Sequence, residues 1–530
     1  MAHDVILVGA GHNALVTAFY LAKAGKRPLV LERRHLPGGC ATSEEFAPGF
    51  RSSTLAHTLG PLRPGIVNDM QLERRGVAFV QPDPRLVSVA PDGRALVFST
   101  DPGRTAEAIK PFSTKDAARY LEFCATIERI GAFLSELLGT TPPSIDSPSA
   151  GELWELLKTG RRFRALGKKE SFALLRWGPM AVADLVAEWF ETDLLMASVA
   201  ARAIHGTAMG PWSAGTGAVL LLAAAIDPQP GGSSATAVGG PGAVTRAMAD
   251  AAREAGAEIR TGADVARILV KDGAAIGVAL ADGTEILAST VVSGADPRRT
   301  FLRLVDPVEL EPEFRTRIRN YRCPGTVAKV NVALRALPAF RGLPADAASS
   351  LRGRVHVGPG IDYLERAFDA SKYGEVSPSP YLDIMFPSIV DPSMAPAGRH
   401  VMSVHMQYAP FNLKSGTWAG QESAIADTVF RTLETYAPGI TDLVEHRQVI
   451  TPLDLEHVYG LTGGHIHHGE LALDQLFTMR PTLGWADYRT PLAGLYLCGS
   501  GTHPGNGLTG ASGLNAAREI LGASRTERRA

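Results

Sequence analysis

The feature that most constrains the fold is a glycine turn close to the amino terminus. Gly9-Ala-Gly11-His-Asn-Ala14 follows the apolar run Asp4–Val8, precedes an alanine-rich helix to Ala24, and is followed by a second strand, Pro28–Leu31, that closes on Glu32. This order predicts the first β-strand, α-helix and β-strand of a dinucleotide-binding fold. Gly9 permits the tight turn, Gly11 lets the backbone approach a pyrophosphate, and the small Ala14 lets helix and strand pack closely. Glu32 is placed to accept hydrogen bonds from an adenosine ribose and argues against the 2′-phosphate of NADPH.

Two more glycine turns decide which dinucleotide is expected. Pro37-Gly38-Gly39-Cys40-Ala41-Thr42 follows Glu32, and the loop Gly499–Gly507 lies near the carboxyl terminus. A second nucleotide unit after Gly499 is excluded by length, because a βαβ unit needs about thirty residues or more. We therefore expect both ends of the chain to meet on one long cofactor, FAD, with a helix N-terminus near its phosphates.

A length of 530 residues predicts more than one domain. From about Ser113 to Ile226, apolar residues recur at the three-and-four spacing of α-helices, and Ser113 or Thr114 can cap the first long helix. Segments with both strand and helix patterns flank this block. The fold class predicted is α/β, with a discontinuous Rossmann-like FAD-binding domain and an inserted α+β substrate domain that includes a helical cap. The expected boundaries are 1–60, 236–300 and 483–530 for the FAD-binding domain, and 61–235 and 301–482 for the substrate domain.

Composition limits the partners. The chain has 45% hydrophobic and 20% charged residues and a formal net charge of -1, which gives no electrostatic case for nucleic acid or for an anionic membrane surface. The apolar run Ala218–Ile226 is about half the length of a membrane-spanning helix, and no signal peptide is expected, so we predict a cytoplasmic protein. Peripheral membrane contact and homo-oligomerisation stay open, and the electron acceptor is not indicated. The four scattered cysteines exclude a C-x-x-C dithiol enzyme.

Several of these motifs together resemble those of the phytoene desaturase-like flavoproteins: Gly9–Ala14, Glu32, Gly38-Gly39, the strand at Val265, Val292–Pro297 and Leu495–Gly513. The chain is most similar to the subgroup called pyridine nucleotide-disulfide oxidoreductase domain-containing protein 2, through Leu62-Arg-Pro64 with Asp69, Gly463–His468, Leu473-Asp-Gln475, Arg480-Pro481 and Leu495–Gly501. The resemblance implies bound FAD, a discontinuous Rossmann-like domain and an apolar-lined substrate domain. It also implies that Val265 contacts the adenine through its backbone. The residues expected to bind FAD are Gly9, Gly11, Ala14, Glu32, Arg33, Gly38, Gly39, Thr42, Val265, Gly499, Gly501, Asn506, Gly507 and Leu508.

The histidines are the candidate proton-transfer groups. His503 follows a predicted buried strand within the glycine-rich loop, so we expect its imidazole to reach the flavin or the substrate and to take a proton near pH 7. His205 ends an apolar helix and is either a helix cap or a pocket acid/base. Of His465, His467 and His468, one is expected to face the flavin, with His467 the catalytic candidate, and no metal site is expected. His57 either lines a face of the flavin or is a polar loop residue, and the second is the expectation.

The sequence thus predicts an FAD-dependent dehydrogenase, desaturase or oxidase that transfers hydride from a largely apolar organic substrate to the flavin. A flavin-dependent double-bond isomerase and an amine oxidase remain open. So does a flavoprotein binding or regulatory subunit with little turnover.

Overall fold

The computed structural model describes residues 3–60, 62–145, 148–344, 346–505 and 507–527.

Nineteen strands form within these residues: β1 Val5–Val8, β2 Pro28–Glu32, β3 Ser43–Ala47, β4 Phe50–Ser53, β5 Phe79–Val80, β6 Leu86–Val89, β7 Ala95–Phe98, β8 Thr236–Ala237, β9 Glu258–Thr261, β10 Val265–Lys271, β11 Ala274–Leu280, β12 Glu285–Leu287, β13 Thr290–Ser293, β14 Val327–Leu334, β15 Arg354–Val357, β16 Tyr381–Met385, β17 His400–Gln407, β18 Val444–Ile450 and β19 Leu495–Leu497.

Eighteen α-helices lie in the same ranges: α1 His12–Lys23, α2 Pro64–Asp69, α3 Pro102–Ile109, α4 Thr114–Leu137, α5 Ala150–Ala165, α6 Gly167–Trp177, α7 Val182–Ala187, α8 Asp193–Ile204, α9 Thr216–Ile226, α10 Gly240–Glu254, α11 Pro297–Arg299, α12 Pro312–Asn320, α13 Ala347–Ser350, α14 Ile361–Lys372, α15 Pro387–Val390, α16 Glu422–Tyr436, α17 Pro452–His457 and α18 Ala511–Glu527. Within the described part of the chain, no helix has both the length and the apolar character that crossing a bilayer requires.

A parallel five-stranded sheet, in the order β19-β13-β1-β2-β9, joins distant parts of the sequence. The four residues of β1 and the three of β19 are all buried. Parallel sheets need cover on both faces, which explains this continuous apolar character. Helices α1, α10 and α18 cover one face, and the three-stranded sheet β10-β11-β12 covers the other together with α12. The predicted α/β class and the Rossmann-like βαβ start are confirmed.

A second sheet of seven strands, in the order β18-β14-β17-β16-β15-β6-β7, is antiparallel except for the β15–β6 pair. Its central strand β14 is buried at all eight positions. Helix α16 packs on this sheet through an apolar core that includes Val429 and Leu433. At one edge of this sheet, β6 and β7 form an antiparallel hairpin.

Helices α3 to α9 form the predicted helical block. Ser113 caps α4, since its hydroxyl accepts a hydrogen bond from the Asp116 backbone N–H. Helices α4 and α9 approach closely at Gly131, where a Cβ would lie 2.6 Å from the Ala224 carbonyl oxygen. Most apolar side chains of this block pack on one another, including Phe123 and Trp177, so its hydrophobicity reflects a core.

Candidate functional site

A cleft of about 370 Å³ lies at the carboxyl ends of the parallel strands. The loops after β1, β2, β13 and β19 line it, which is where open α/β sheets bind ligands. Residues of β14 and β17 from the seven-stranded sheet line its other end. The cleft is therefore built between the two sheets.

The first two glycine turns lie against each other in this cleft. The Gly38 N–H donates to the Ala10 carbonyl oxygen at 2.8 Å, and a Cβ on Gly39 would lie 3.2 Å from the Gly11 Cα. A Cβ added at Gly9 or Gly11, by contrast, meets no protein atom within 4 Å. Bare backbone at Gly9 and Gly11 therefore faces open space in the cleft, the form that close approach of a pyrophosphate requires.

Glu32 ends β2 as the sequence predicts and binds the backbone of the first glycine turn. Its Oε2 accepts from the Ala10 backbone N–H at 2.8 Å, and its Oε1 accepts from the Arg34 backbone N–H at 2.9 Å. The side chain lines the cleft beside Arg33 and Val265. This is the position that an adenosine ribose contact requires, and the contact itself stays a prediction.

The carboxyl-terminal segment reaches the same cleft because α18 crosses α1 closely. A Cβ on Gly513 would lie 2.1 Å from the Asn13 carbonyl oxygen, and the Thr17 hydroxyl donates to the Gly513 carbonyl oxygen at 2.9 Å. Ser500 accepts from the Asn13 amide at 3.4 Å. Both ends of the chain consequently line one cleft.

Most of the residues predicted to bind cofactor come together there. The cleft lining includes Gly9, Gly11, Ala14, Glu32, Arg33, Gly38, Gly39, Val265, Gly499, Gly507 and Leu508. Thr42 and Gly501 are not part of it. The Thr42 hydroxyl donates to Glu44 Oε1 at 2.9 Å, and a Cβ on Gly501 would lie 2.3 Å from Pro297 Cδ, so Gly501 serves packing. Asn506 lies outside the described residues.

His503 is placed differently from the prediction, since it does not line the cleft. Its ring is 1% exposed and packs against Phe477, with ring centroids 5.6 Å apart. The hydroxyl groups of Tyr488 and Ser512 donate to the His503 carbonyl oxygen at 2.8 and 3.0 Å, which fixes the loop with the imidazole turned away. Burial lowers the pKa of His503 to about 3. The proton-transfer role assigned to His503 is therefore withdrawn.

The inner end of the cleft contains a lysine that sequence reasoning missed. Lys329 lies on β14 and is 1% exposed, and its Nζ is 2.8 Å from His57 Nδ1. Burial lowers the pKa of Lys329 to about 7. Burial also lowers the pKa of His57 to about 3, with Lys329 adding to the effect. His57 lies in a loop, but its side chain is 5% exposed and lines the cleft, and a contact with the flavin stays a prediction.

Three further imidazoles complete the inner end. His205 is the C-cap of α8 and also lines the cleft, and its alternative role as an acid or base stays a prediction. Its ring stacks on His405 with centroids 3.9 Å apart, and His467 Nε2 is 3.2 Å from the His205 carbonyl oxygen. Burial lowers the pKa of His205 to about 4 and the pKa values of His405 and His467 well below the usual value. This wall therefore carries neutral imidazoles near pH 7.

One signal could have identified Lys329. It is the single charged residue in the run Val327–Leu334, which otherwise reads as a buried strand, and a lysine is almost never fully buried without a partner. His405 gives a weaker signal, since β17 also contains polar residues.

Metal and thiol chemistry find no support at this site. Within the described ranges, no group of three or more His, Cys, Asp or Glu side chains could hold a metal ion. The four cysteines are free. Cys40 lines the cleft, and burial raises its pKa to about 12, which keeps it a thiol.

The parallel sheet, the facing glycine turns and the cleft shared by both chain ends define an FAD-binding oxidoreductase. Residues 15–521 match the family described as flavin containing amine oxidoreductase, and the chain belongs to this family. It is 36% identical to the rat pyridine nucleotide-disulfide oxidoreductase domain-containing protein 2, covering 98% of this chain and 93% of that protein. The predicted subgroup is thus confirmed, and so are FAD and the class of enzyme.

More distant relatives agree on the fold. A limonene dehydrogenase component from Castellaniella defragrans is 28% identical, covering 98% of this chain and 94% of that protein. The structure of cyclohexylamine oxidase from Brevibacterium oxydans superposes with a TM-score of 0.58 at 15% identity, covering all of both chains.

The depressed pKa of Lys329 predicts a pH-dependent stability. Between about pH 7 and 10.5 the unfolded chain binds a proton at Lys329 that the folded chain does not. The free energy of unfolding of the wild type, relative to that of Lys329→Met, should therefore rise with pH across this window and stay level below it. Urea denaturation at constant ionic strength measures the difference. The exposed Lys271→Met is the control and should show no such slope; parallel profiles for wild type and Lys329→Met would contradict the assignment.

Proposed function

We propose that the protein is a dehydrogenase, desaturase or oxidase that acts on an organic substrate bound at the inner end of the cleft. The observation that carries this proposal is the buried Lys329–His57 pair, which lies in the same cleft as the facing glycine turns. Bound FAD would supply the two-electron acceptor, and this chain has to position the substrate and accept its proton.

The residues we assign to FAD are those that line the cleft near the parallel strands. Gly9, Gly11 and Gly39 offer bare backbone to the pyrophosphate, Glu32 the ribose contact, and Val265 the adenine contact. Gly499, Gly507 and Leu508 would approach the ring end from the carboxyl-terminal segment. Residues 1–60, 236–300 and 483–530 form the FAD-binding domain in this proposal, and residues 61–235 and 301–482 form the substrate domain. Three separated segments of the chain supply the strands of the parallel sheet, which supports this division.

Lys329 is the group we assign to proton transfer. A pKa of about 7 leaves a substantial neutral fraction at physiological pH, and a neutral Nζ can accept a proton from the substrate. His57 Nδ1 fixes the position of Nζ at 2.8 Å. The sequence predicted catalytic roles for His205 and His467. We assign both to shaping the pocket, because both side chains line the cleft and burial keeps their imidazoles neutral.

Amine oxidation is the second candidate reaction. The family description favours it, and Asp383, next to His57, has an Oδ1 atom with no hydrogen-bond partner among the described residues. Isomerisation and a regulatory role are distinguished from both candidates by the test below.

Anaerobic mixing of the FAD-loaded protein with a panel of amines, alkenes and carboxylic acids tests the proposal. At least one class should bleach the flavin absorbance without added reductant, and Lys329→Met should slow bleaching by about 10- to 10⁴-fold, the usual contribution of a proton-transfer group. Lys271→Met should match the wild type. Double-bond migration without net bleaching would indicate an isomerase instead. No response to any substrate would leave the regulatory role.

We also propose that helices α5 and α6 contact an anionic membrane surface. Helix α5 has no buried residue, and Trp154, Leu157, Phe172 and Leu175 are each at least half exposed. Residues 150–177 contain seven Lys or Arg and three Glu, whereas the whole chain has a net charge of -1. Exposed apolar side chains flanked by basic ones are typical of peripheral membrane binding. A cytoplasmic location is compatible with this contact.

Flotation with vesicles tests the membrane proposal. The wild type should bind vesicles that contain phosphatidylglycerol more strongly than vesicles of phosphatidylcholine alone, because the surface is basic. Trp154→Ser with Leu157→Ser should abolish binding. Leu287→Ser, which changes an equally exposed leucine on β12, should leave binding unchanged. Equal binding by the Trp154/Leu157 variant and the wild type would refute the proposed surface.

A further inference from the structure

A second chamber of about 160 Å³ adjoins the inner end of the cleft. Helices α8 and α9 and strands β15 and β16 supply much of its lining. The two cavities have five lining residues in common: His57, Thr58, Gly60, His205 and His467. The glycine turns of the cofactor cleft are not part of the chamber. A substrate at the reacting end could therefore extend into it without meeting the residues assigned to FAD.

The chamber has charged groups among apolar side chains such as Val219 and Ile226, whereas the family resemblance implies an apolar lining. Arg354 and Arg202 line it together with Asp383 and Asp227. Arg354 Nη1 donates to Asp383 Oδ2 at 2.6 Å. Behind this wall, Arg85 Nη1 donates to Asp227 Oδ2 at 2.9 Å.

Positive charge exceeds negative charge in this buried group. Three guanidinium groups, on Arg85, Arg202 and Arg354, face two carboxylates, which are on Asp227 and Asp383. The two nitrogens that Arg202 uses donate at 2.7 Å to the carbonyl oxygens of residues 229 and 227, and no carboxylate is among these partners. Burial lowers the pKa of Arg202 to about 10, a value that still leaves it charged near pH 7. A surplus buried charge is costly unless an opposite charge compensates it.

Hydrogen-bonding groups are also left over in the chamber wall. Arg354 Nε makes no hydrogen bond within the described part of the chain, and Arg354 is 9% exposed. Behind the wall, Arg85 Nε also makes no hydrogen bond within the described residues. Buried polar groups without partners are rare in native proteins and point to an unseen ligand or water.

The guanidinium groups of Arg354 and Arg202 both lie close to the backbone of Gly232. A Cβ at Gly232 would lie 2.9 Å from Arg354 Nη2 and 3.1 Å from Arg202 Nε. Gly232 has a φ of +74° as well, so the backbone there is suited to glycine. The chain thus brings two like charges together around a backbone without a side chain, an arrangement that an anion between them would stabilise.

We propose that this chamber binds a carboxylate group of the substrate through Arg354 and Arg202, while the oxidised carbon lies beside Lys329. Guanidinium groups match carboxylates in planar, two-pronged geometry. A hydrocarbon such as the limonene in the name of one relative would leave the surplus positive charge of this group uncompensated. An ammonium group would add to the existing surplus of positive charge. This inference rests on the proposed function and specifies its substrate class.

Titration of the FAD-loaded protein with sodium benzoate tests the inference, with the flavin difference spectrum as the readout. Benzoate should give a saturable change, because the chamber borders the reacting end of the cleft. Benzyl alcohol and benzylamine have the same ring without the anion and should bind at least 10-fold more weakly. Replacing chloride by sulfate at constant ionic strength should leave the benzoate affinity unchanged.

Two variants locate the site. Arg354→Gln should weaken benzoate binding by about 10- to 100-fold, the loss expected for a hydrogen bond to a charged group. Because this change leaves Asp383 without its partner and could prevent folding, Arg202→Gln is the second variant, and the same loss is expected. The exposed Arg253→Gln on α10 should bind benzoate like the wild type. The FAD stoichiometry of each variant is measured as well. A variant that binds FAD fully but binds benzoate weakly has lost the carboxylate site alone, so the outcome for this inference is separate from that for the proposed function.

Three results would overturn the inference even if FAD binds normally. The first is tighter binding of benzylamine or benzyl alcohol than of benzoate. The second is a benzoate affinity that falls in proportion to chloride, which would assign the chamber to an inorganic anion. The third is an unchanged benzoate affinity in Arg202→Gln or in folded Arg354→Gln.

Discussion

A single buried guanidinium connects the parts of the site that are far apart in sequence. Arg480 is 0% exposed, and its Nη2 donates to the carbonyl oxygens of His467 and Ser500 at 2.7 and 2.8 Å. Its Nη1 donates to the carbonyl oxygen of Glu470 at 3.0 Å. The cleft-lining Ser500 segment is thereby fixed against the histidine segment. Breaking such a network leaves several buried carbonyl groups unsatisfied, so the position of both segments depends on this side chain.

Electrostatics at the inner end follow from burial. Imidazoles and the Lys329 amine lose their charge more readily because they are removed from water, and guanidinium groups stay charged because their intrinsic pKa is far higher. Burial alone would raise the pKa of Asp383, but the Arg354 guanidinium holds it well below the usual value. His57 Nε2 is 3.8 Å from Asp383 Oδ1, beyond hydrogen-bond reach. The interior thus combines neutral proton acceptors in the cleft with fixed charges in the chamber, one set suited to chemistry and the other to recognition.

Local patterns predicted much of the fold. The turn Gly9–Ala14, the end of β2 at Glu32 and the Ser113 cap each depend on neighbours within a few residues, and each forms as expected. The single-cleft arrangement was predictable because the glycine turns at Gly9, Gly38 and Gly499 together suit one long cofactor.

The inner site was not predictable in this way, because its contacts join distant residues. Lys329 meets His57 across 272 positions of sequence, because the loop after β4 packs against the seven-stranded sheet at β14. His503, by contrast, was predicted to lie in the site but lies outside the cleft. Its glycine-rich loop suggested a side chain reaching into the site, but hydrogen bonds from Tyr488 and Ser512 to its carbonyl oxygen orient the loop otherwise. The family resemblance implied an apolar-lined substrate domain, but it gave no sign of the charged groups that the chamber also contains.

The central claim is that the cleft at Gly11 holds the pyrophosphate of one FAD shared by both ends of the chain. Calorimetric titration of FAD into the wild type and into Gly11→Val tests it most directly. The wild type should bind one FAD per chain. Gly11→Val should unfold at the same urea concentration as cofactor-free wild type, because a Cβ there meets no protein atom within 4 Å, yet it should bind no FAD. A wild type that does not bind FAD, or a Gly11→Val variant that binds it equally well, would contradict the account.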